Sequence, residues 1–400
     1  MQKTLKNWFF MRDGFDTFRF EPEKHSKYIF GDRERNQRDF LMGGIEESSY
    51  SSDGQKAVVF GDYGRGKTHL CHNLEHSIKA GDLQVMPVYV KCSAFKSREP
   101  FSTFFLQLLL SHPVREIQRV ADGYAKKVQA GEALPLDQVI RSDAIANVMS
   151  AGLAAPNPDA VSNSLRWLGG EAKVQMGLIA SGLKPQLTDS RDFGEVMRGI
   201  AHMFIQVDGK TPLYLVDEAE RLEGITNPDV YVTWLASLRE ITEILNVGII
   251  FFIGANTRNN LPALLLHDEI QRRIGFSNYI EFMNGGREDL RAFVVEVIGT
   301  AIRKGAVPSS QHDVVEPGAL DEQVPADLQE IVGGEQARLA AFPFEPDALQ
   351  EFLEQVTADG NASKPSEMLM RLQKAAQRAM KLDRRTIGLD IVEAIANEGL

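Results

Sequence analysis

The sequence is poor in cysteine: Cys71 and Cys92 are its only two. At most one bridge could form, so no disulfide framework holds this chain, and a reducing, cytoplasmic setting is expected. Long apolar runs are also missing. The longest candidate, residues 247–255, is half of what a bilayer requires and reads as a buried strand. The first residues, Met1-Gln2-Lys3-Thr4, lead into aromatics (Trp8, Phe9, Phe10, Phe15, Phe18, Phe20) rather than into an aliphatic secretory core. No membrane partner is expected. Positive charge is in deficit, with 44 Lys and Arg against 55 Asp and Glu, a net −11. That argues against a protein that coats polyanions generically, while leaving room for a local basic surface such as the inside of a ring. There is no internal repeat and no low-complexity tract, which excludes solenoids and biased linkers. What remains is an ordinary globular composition over 400 residues, long enough for two or three domains.

Against that background one stretch stands out. Residues 56–60, Lys-Ala-Val-Val-Phe, form a short apolar strand. Next comes Gly61-Asp62-Tyr63-Gly64-Arg65-Gly66-Lys67-Thr68, which fits G-x-x-x-x-G-K-[ST] at every fixed position. A helix follows, with Leu70, Leu74 and Ile78 at spacings of four and a stop at Gly81. Strand, loop and helix are the context that a phosphate-binding loop needs. Glycines let backbone amides turn to the phosphates, and the helix N-terminus adds a positive dipole end. Lys67 is expected to reach the β- and γ-phosphates, and the Thr68 hydroxyl to ligate magnesium. Chance would produce the bare motif in about one chain in a hundred of this size.

The same helix contains His72-Asn73-Leu74-Glu75-His76, an H-x-x-E-H pattern of zinc proteases. Helix angles set His72 and His76 opposite the leucine stripe, on a polar face. A zinc ion there would compete with the nucleotide machinery, so no zinc site is assigned.

Residues 213–216, Leu-Tyr-Leu-Val, form a second apolar strand with Asp217 and Glu218 at its end. Hydrolysis of a nucleoside triphosphate needs one carboxylate on the hydrated magnesium and another to orient and polarise water. Asp217 is assigned the first role and Glu218 the second. A helix is predicted over residues 230–245, its stripe carried by Trp234, Leu238, Ile241 and Leu245. The next strand, from Gly248, is apolar on both faces and runs into Asn256-Thr257. Ligands bind at the carboxyl ends of parallel strands, so Asn256 is placed to touch the γ-phosphate or the water, with Thr257 as the fallback. Residues 261–270 read as a helix ending in Gln271-Arg272-Arg273-Ile274, followed by a strand at Tyr279-Ile280-Glu281-Phe282.

In this order, GDYGRGKTH, LYLVDEAERL, GIIFFIGANT and EIQRRIGF resemble the motif series of AAA+ ATPases of the initiator type, which include origin-recognition proteins and transposon target-selection ATPases. More narrowly, the G-x-Y-G-x-G-K-[ST]-H loop joined to D-E-A-E-R-L resembles the ATP-binding proteins of BREX-type phage-defence systems. The resemblance runs from about Phe30 onward. It implies an α/β fold: a P-loop parallel sheet flanked by helices, with a helical insertion and a C-terminal helical lid. The base would span residues 1–285, including an N-terminal segment 1–30 and an insertion at about 101–208. The lid would span 286–400, with helices at 287–304, 345–356, 365–381 and 387–397.

The resemblance also implies roles. The nucleotide-binding set is Gly61, Tyr63, Gly64, Arg65, Gly66, Lys67, Thr68, His69 and Asp217. Ile29 and Phe30, ahead of Gly31-Asp32-Arg33-Glu34, would flank adenine. Arg273, with Arg272 second, would be the finger that reaches a neighbour's ATP, since a planar guanidinium pairs with phosphate oxygens. Lys364-Pro365 stands where a phosphate-sensing arginine is expected, and Arg371 comes two turns later. With four lid helices at the end of the sequence, no winged helix is expected. Residues 307–344, rich in Pro, Gly and acids, are expected to be a loop. Lys96 and Arg98, after the second strand, could face phosphates in a ring bore.

The implied protein is an ATPase using ATP and magnesium. It would be a homo-oligomer acting as a switch or remodeller with duplex DNA and the partner proteins of a defence or transposition complex. An alternative is a signalling or scaffold ATPase that binds proteins only. A second is a target-selection ATPase that forms filaments on DNA.

Overall fold

A computed structural model describes residues 4–51, 53–94, 101–171, 186–225, 227–282, 286–302, 324–358 and 364–398. Five strands form one parallel sheet: β1 Lys56–Gly61, β2 Val85–Lys91, β3 Thr211–Asp217, β4 Gly248–Gly254 and β5 Tyr279–Glu281, in the order β2-β3-β4-β1-β5. Every residue of β1 and β3 is buried, as expected where helices cover both faces of a sheet. The register sets Gly61 beside Gly254 and Lys91 beside Asp217, so the ends of β1 and β4, and of β2 and β3, lie level along one carboxyl edge.

The chain divides into two compact units. The sheet unit comprises Arg38–Tyr63 and Cys71–Phe282, and the helical unit Met1–Gln37, Gly64–Leu70 and Met283–Leu400. In the sheet unit, the helices Phe101–Leu110, Val114–Gln129, Pro158–Leu168 and Ser190–Asp208 fill the stretch between β2 and β3. They share one core with the sheet rather than forming a subdomain with its own. The first of them explains why. Phe101, Phe104, Phe105, Leu108 and Leu109 are all buried, leaving little of the helix to solvate alone. Phe101 meets Trp234 edge-on at 5.0 Å.

In the helical unit, the N-terminal aromatics pack with the C-terminal helices. Phe9, Phe15 and Phe18 share a core with Leu290, Val294, Phe342, Phe352 and Leu372. The Phe18 amide donates to Gln373 Oε1 at 2.8 Å, Trp8 Nε1 to the Arg384 carbonyl at 2.8 Å, and the Arg385 guanidinium lies 3.9 Å over the Trp8 ring. The helices are Arg287–Ala301, Pro346–Val356, Pro365–Lys381 and Leu389–Asn397.

Two local expectations change. The helix predicted over residues 261–270 is two pieces, Ala263–Leu266 and Asp268–Ile274. His267 is extended between them, and its ring accepts from the Glu269 amide at 3.4 Å. The predicted loop at 307–344 contains the helices Ala326–Ile331 and Gln336–Ala341, separated by Gly333 and Gly334. Its first part lies outside the described residues. Both cysteines are free and buried. No helix among the described residues is long and apolar enough to cross a membrane.

Candidate nucleotide site

The polar groups of the sheet unit gather where β2, β3 and β4 end. Asp217 is 4% exposed, and both its carboxylate oxygens are used. Oδ1 accepts from the Glu218 amide at 2.9 Å, and Oδ2 from the Tyr89 hydroxyl at 3.3 Å. Glu218 itself is left-handed at φ 55°, ψ 34°, a conformation that costs a non-glycine residue on the order of 1–3 kcal/mol. It turns the chain sharply out of β3. Its side chain lies between two cations: Lys91 Nζ is 3.1 Å from Oε1, and Arg221 pairs with Oε2.

Glu220 makes a second tie. Its Oε2 accepts from the Gly254 amide at 2.8 Å, at the end of β4. The Tyr63 ring lies across the same glycine, where an added Cβ would fall 2.5 Å from Tyr63 Cζ. Partial burial, with the Glu220 carboxylate next, lifts the Tyr63 phenol above its ordinary pKa. Glu220 thus joins the loop after β1, the turn after β3 and the end of β4.

Asn256 is exposed beyond β4, and its Oδ1 accepts from Asn260 in the turn Arg258–Asn260. Thr257 is exposed and extended. Of the two arginines, Arg273 is engaged within its own chain. Its Nε donates to Glu243 Oε1 at 3.0 Å and its Nη1 to the Glu269 carbonyl at 2.7 Å. Arg272 is exposed and pairs with no described residue.

Gly64 to Leu70 belong to the helical unit. Gly64 and Gly66 have φ of 80° and 100°, open to glycine at little cost. A Cβ on Gly64 would strike Ser366 Oγ at 2.3 Å, and the Ser366 amide donates to the Gly64 carbonyl at 3.2 Å. The helix Pro365–Lys381 therefore begins beside the loop. Lys364 is near enough that its Cδ would lie 3.8 Å from that added Cβ, whereas Arg371 is half-buried two turns further on. Lys67 is buried; Arg65 and Thr68 are half-buried.

His69 Nε2 bonds the Tyr28 carbonyl at 2.6 Å, which fastens residues 28–30 to the start of the helix Lys67–Ala80. Ile29 is half-buried; the Phe30 ring is buried against Phe20 at 4.7 Å and stacks towards His69 at 6.4 Å. Just beyond, Arg35 grips both oxygens of Glu296, and burial pushes the Glu34 carboxyl up to about 7.

The zinc-protease pattern takes another form here. His72 is buried, not solvent-facing, with its ring 4.3 Å from that of Tyr89. No group of three or more His, Cys, Asp or Glu among the described residues is arranged to hold a metal ion. Lys96 and Arg98 lie outside the described residues. Tyr89, Lys91, Glu220 and Ser366 were not assigned from the sequence, since each acts through a partner on another element.

No family model matches the chain, and no curated protein matches it by sequence. Solved structures do. The Aeropyrum pernix ORC2 protein in its ADP form is 13% identical with a TM-score of 0.50, over 98% of this chain and 73% of that one. The Aeropyrum pernix ORC1 protein in complex with DNA is 14% identical, TM-score 0.44, over 94% and 67%. Domain III of the Thermotoga maritima replication initiation protein DnaA is 11% identical, TM-score 0.42, over 97% and 98%. At these identities the likeness shows fold alone. The fold is like that of the ORC2 protein, here a parallel five-stranded sheet flanked by helices with a C-terminal helical region.

Proposed function

We propose that this chain binds ATP with magnesium and hydrolyses it, and that the cycle drives a switch or remodelling step in a DNA-directed complex. The observation that carries the proposal is the acidic end of β3. A buried carboxylate at the ligand-binding edge of a parallel sheet, beside a second one turned out by a left-handed residue, suits a hydrated cation and an attacking water. The donor set fits magnesium, which takes carboxylate and hydroxyl oxygens and keeps several waters. Thr68 and Asp217 would hold it, and when bound it neutralises charge on the phosphate oxygens.

Lys67 and the amides around Gly61, Tyr63, Gly64, Arg65 and Gly66 cradle the phosphates. His69 holds Ile29 and Phe30 in place for the base. Glu218 orients the water once it exchanges Lys91 or Arg221 for it, and Asn256 contacts the water or γ-phosphate. Arg273, or Arg272, reaches the ATP of a neighbouring copy in a homo-oligomer.

The ADP form of the similarly folded ORC2 protein agrees with nucleotide binding. The resemblance of the motif series to initiator-type ATPases supports duplex DNA as a partner. Its narrower resemblance to phage-defence ATP-binding proteins supports an anti-phage complex with further protein partners. The net charge of −11 favours a second reading, a scaffold ATPase that binds proteins only.

Calorimetry with ATP, with and without magnesium, tests the nucleotide step. Lys67→Ala is expected to abolish binding and leave the fold intact, and unchanged ATP affinity in that variant would remove the P-loop assignment. DNA binding that requires ATP and weakens with salt supports the DNA-directed reading. Its absence leaves the scaffold reading, and regular filaments on duplex DNA indicate target selection.

A further inference from the structure

In the H-x-x-E-H stretch of the helix Lys67–Ala80, His72 and Glu75 contact each other. His72 Nδ1 lies 3.3 Å from Glu75 Oε2, and since a carboxylate can only accept, the imidazole donates. Lys79 holds the other oxygen of Glu75 at 2.6 Å. With its ring plane fixed, His72 packs against Tyr89 at 4.3 Å. Tyr89 pairs with Leu215 in the ladder and Lys91 with Asp217. Two residues apart on β2, Tyr89 and Lys91 face the same side of the sheet. From there the Tyr89 hydroxyl reaches Asp217 Oδ2.

From these contacts we infer that Tyr89, braced by His72, is a positioning residue that fixes the Asp217 carboxylate for a divalent cation. Two hydrogen bonds, one to each oxygen, leave the carboxylate a single orientation. The phenol hydroxyl supplies the proton of its bond and the carboxylate oxygen accepts it. Partners of this kind around a metal ligand typically affect metal affinity by about 10–100-fold. The inference rests on the nucleotide reading and adds to it the residues that set its metal dependence.

The test is Tyr89→Phe, which removes one hydroxyl and keeps the ring. Binding of a fluorescent ATP analogue is titrated with magnesium, and manganese binding is followed by electron paramagnetic resonance. The magnesium needed for half-maximal tightening is expected to rise about tenfold. Nucleotide affinity in EDTA and the thermal midpoint should stay near wild type. His72→Leu should move the metal requirement in the same direction by less. In an Asp217→Asn background, Tyr89→Phe should add nothing.

An unchanged metal requirement in Tyr89→Phe overturns the inference. So does equal weakening with and without metal, because Tyr89 would then be structural, and so does a full extra effect in the Asp217→Asn background. If wild-type protein binds no nucleotide, the nucleotide reading fails first. If it binds metal-linked ATP and only Tyr89→Phe behaves as wild type, this inference alone falls.

Discussion

The sheet unit and the helical unit are built on opposite plans. In the sheet unit the chemistry-bearing groups stand at the rim, beyond the last residues of the strands. They are held by polar bonds: Tyr89 and the Glu218 amide on Asp217, Lys91 and Arg221 on Glu218, Gly254 on Glu220. The core beneath is separate from them. In the helical unit, aromatics from the start of the chain join the core, and the same segment leads directly into residues 28–30 that His69 fastens. Rim groups can therefore be changed one at a time with little loss of fold. The N-terminal aromatics cannot, since they pack the core of the helical unit and lead into the fastened segment at once.

The largest expected effect tests the rim. Glu218→Gln keeps the size and the turn but loses the carboxylate that polarises water. Turnover should drop by about a thousandfold or more, with ATP affinity and thermal midpoint near wild type. Wild-type turnover would move the base elsewhere, and a large fall in thermal midpoint would show that this rim residue is structural after all.

The next test separates the two arginines. Arg273→Ala should keep ATP binding and lose roughly a thousandfold in hydrolysis if it is a finger acting in trans. Mixing it with Lys67→Ala should restore part of the activity, increasingly at higher protein concentration, because intact sites then meet intact fingers. Arg273 must leave Glu243 to do this, so Glu243→Gln should raise turnover a few-fold, measured at fixed protein concentration. If Glu243→Gln changes nothing and Arg272→Ala is the variant rescued by mixing, the exposed Arg272 is the finger, and the Arg273–Glu243 pair is a strut.

In the helical unit, Phe18→Ala removes a fully buried ring and should cost about 3–5 kcal/mol. Trp8 reports on this unit, while Trp167 and Trp234 belong to the core of the sheet unit. Single-tryptophan variants should show the Trp8 transition shifting to lower urea while the other two move little. Equal shifts would mean that the units unfold as one, and the contrast drawn between them would lose its energetic meaning.

How far the sequence could be read follows the same division. The G-x-x-x-x-G-K-[ST] match is eight consecutive residues, and Asp217 and Glu218 are adjacent, so these candidates could be picked out by local spacing. The strands were visible because each is a short apolar run between helices. Ties across the sheet were not. Tyr89 and Asp217 are 128 residues apart, and only the register of β2 on β3 brings them together. The N-terminal aromatics stood out in the sequence, but Gln373, the partner of the Phe18 amide, is 355 residues away. No periodicity within either segment encodes that pairing. The loop expected over residues 307–344 gives way to helix in its described part for a local reason, since Gly333 and Gly334 separate two short helices instead of preventing them.

The smallest expected effects are set by pH, and they have opposite signs in the two units. His112, buried in the sheet unit with Nε2 at 2.8 Å from the Tyr214 hydroxyl, is pushed down from 6.5 to about 4 by burial. Its folded form prefers the neutral ring, so its stabilising contribution is full above pH 6.5 and is lost as pH falls towards 4. Glu34, in the helical unit, is raised from 4.5 to about 7 by burial, with Asp289 adding to the effect. Its folded form prefers the protonated acid, so its contribution is full below 4.5 and is lost as pH rises towards 7. Each window corresponds to on the order of 3 kcal/mol. Acidification from pH 7 to pH 4.5 should therefore lower the urea midpoint reported by Trp167 and Trp234 and raise the one reported by Trp8. His112→Gln should flatten the first trend and Glu34→Gln the second, each leaving the other in place. Parallel trends from both sets of probes, or a single variant that flattens both, would show that one cooperative structure carries both titrations.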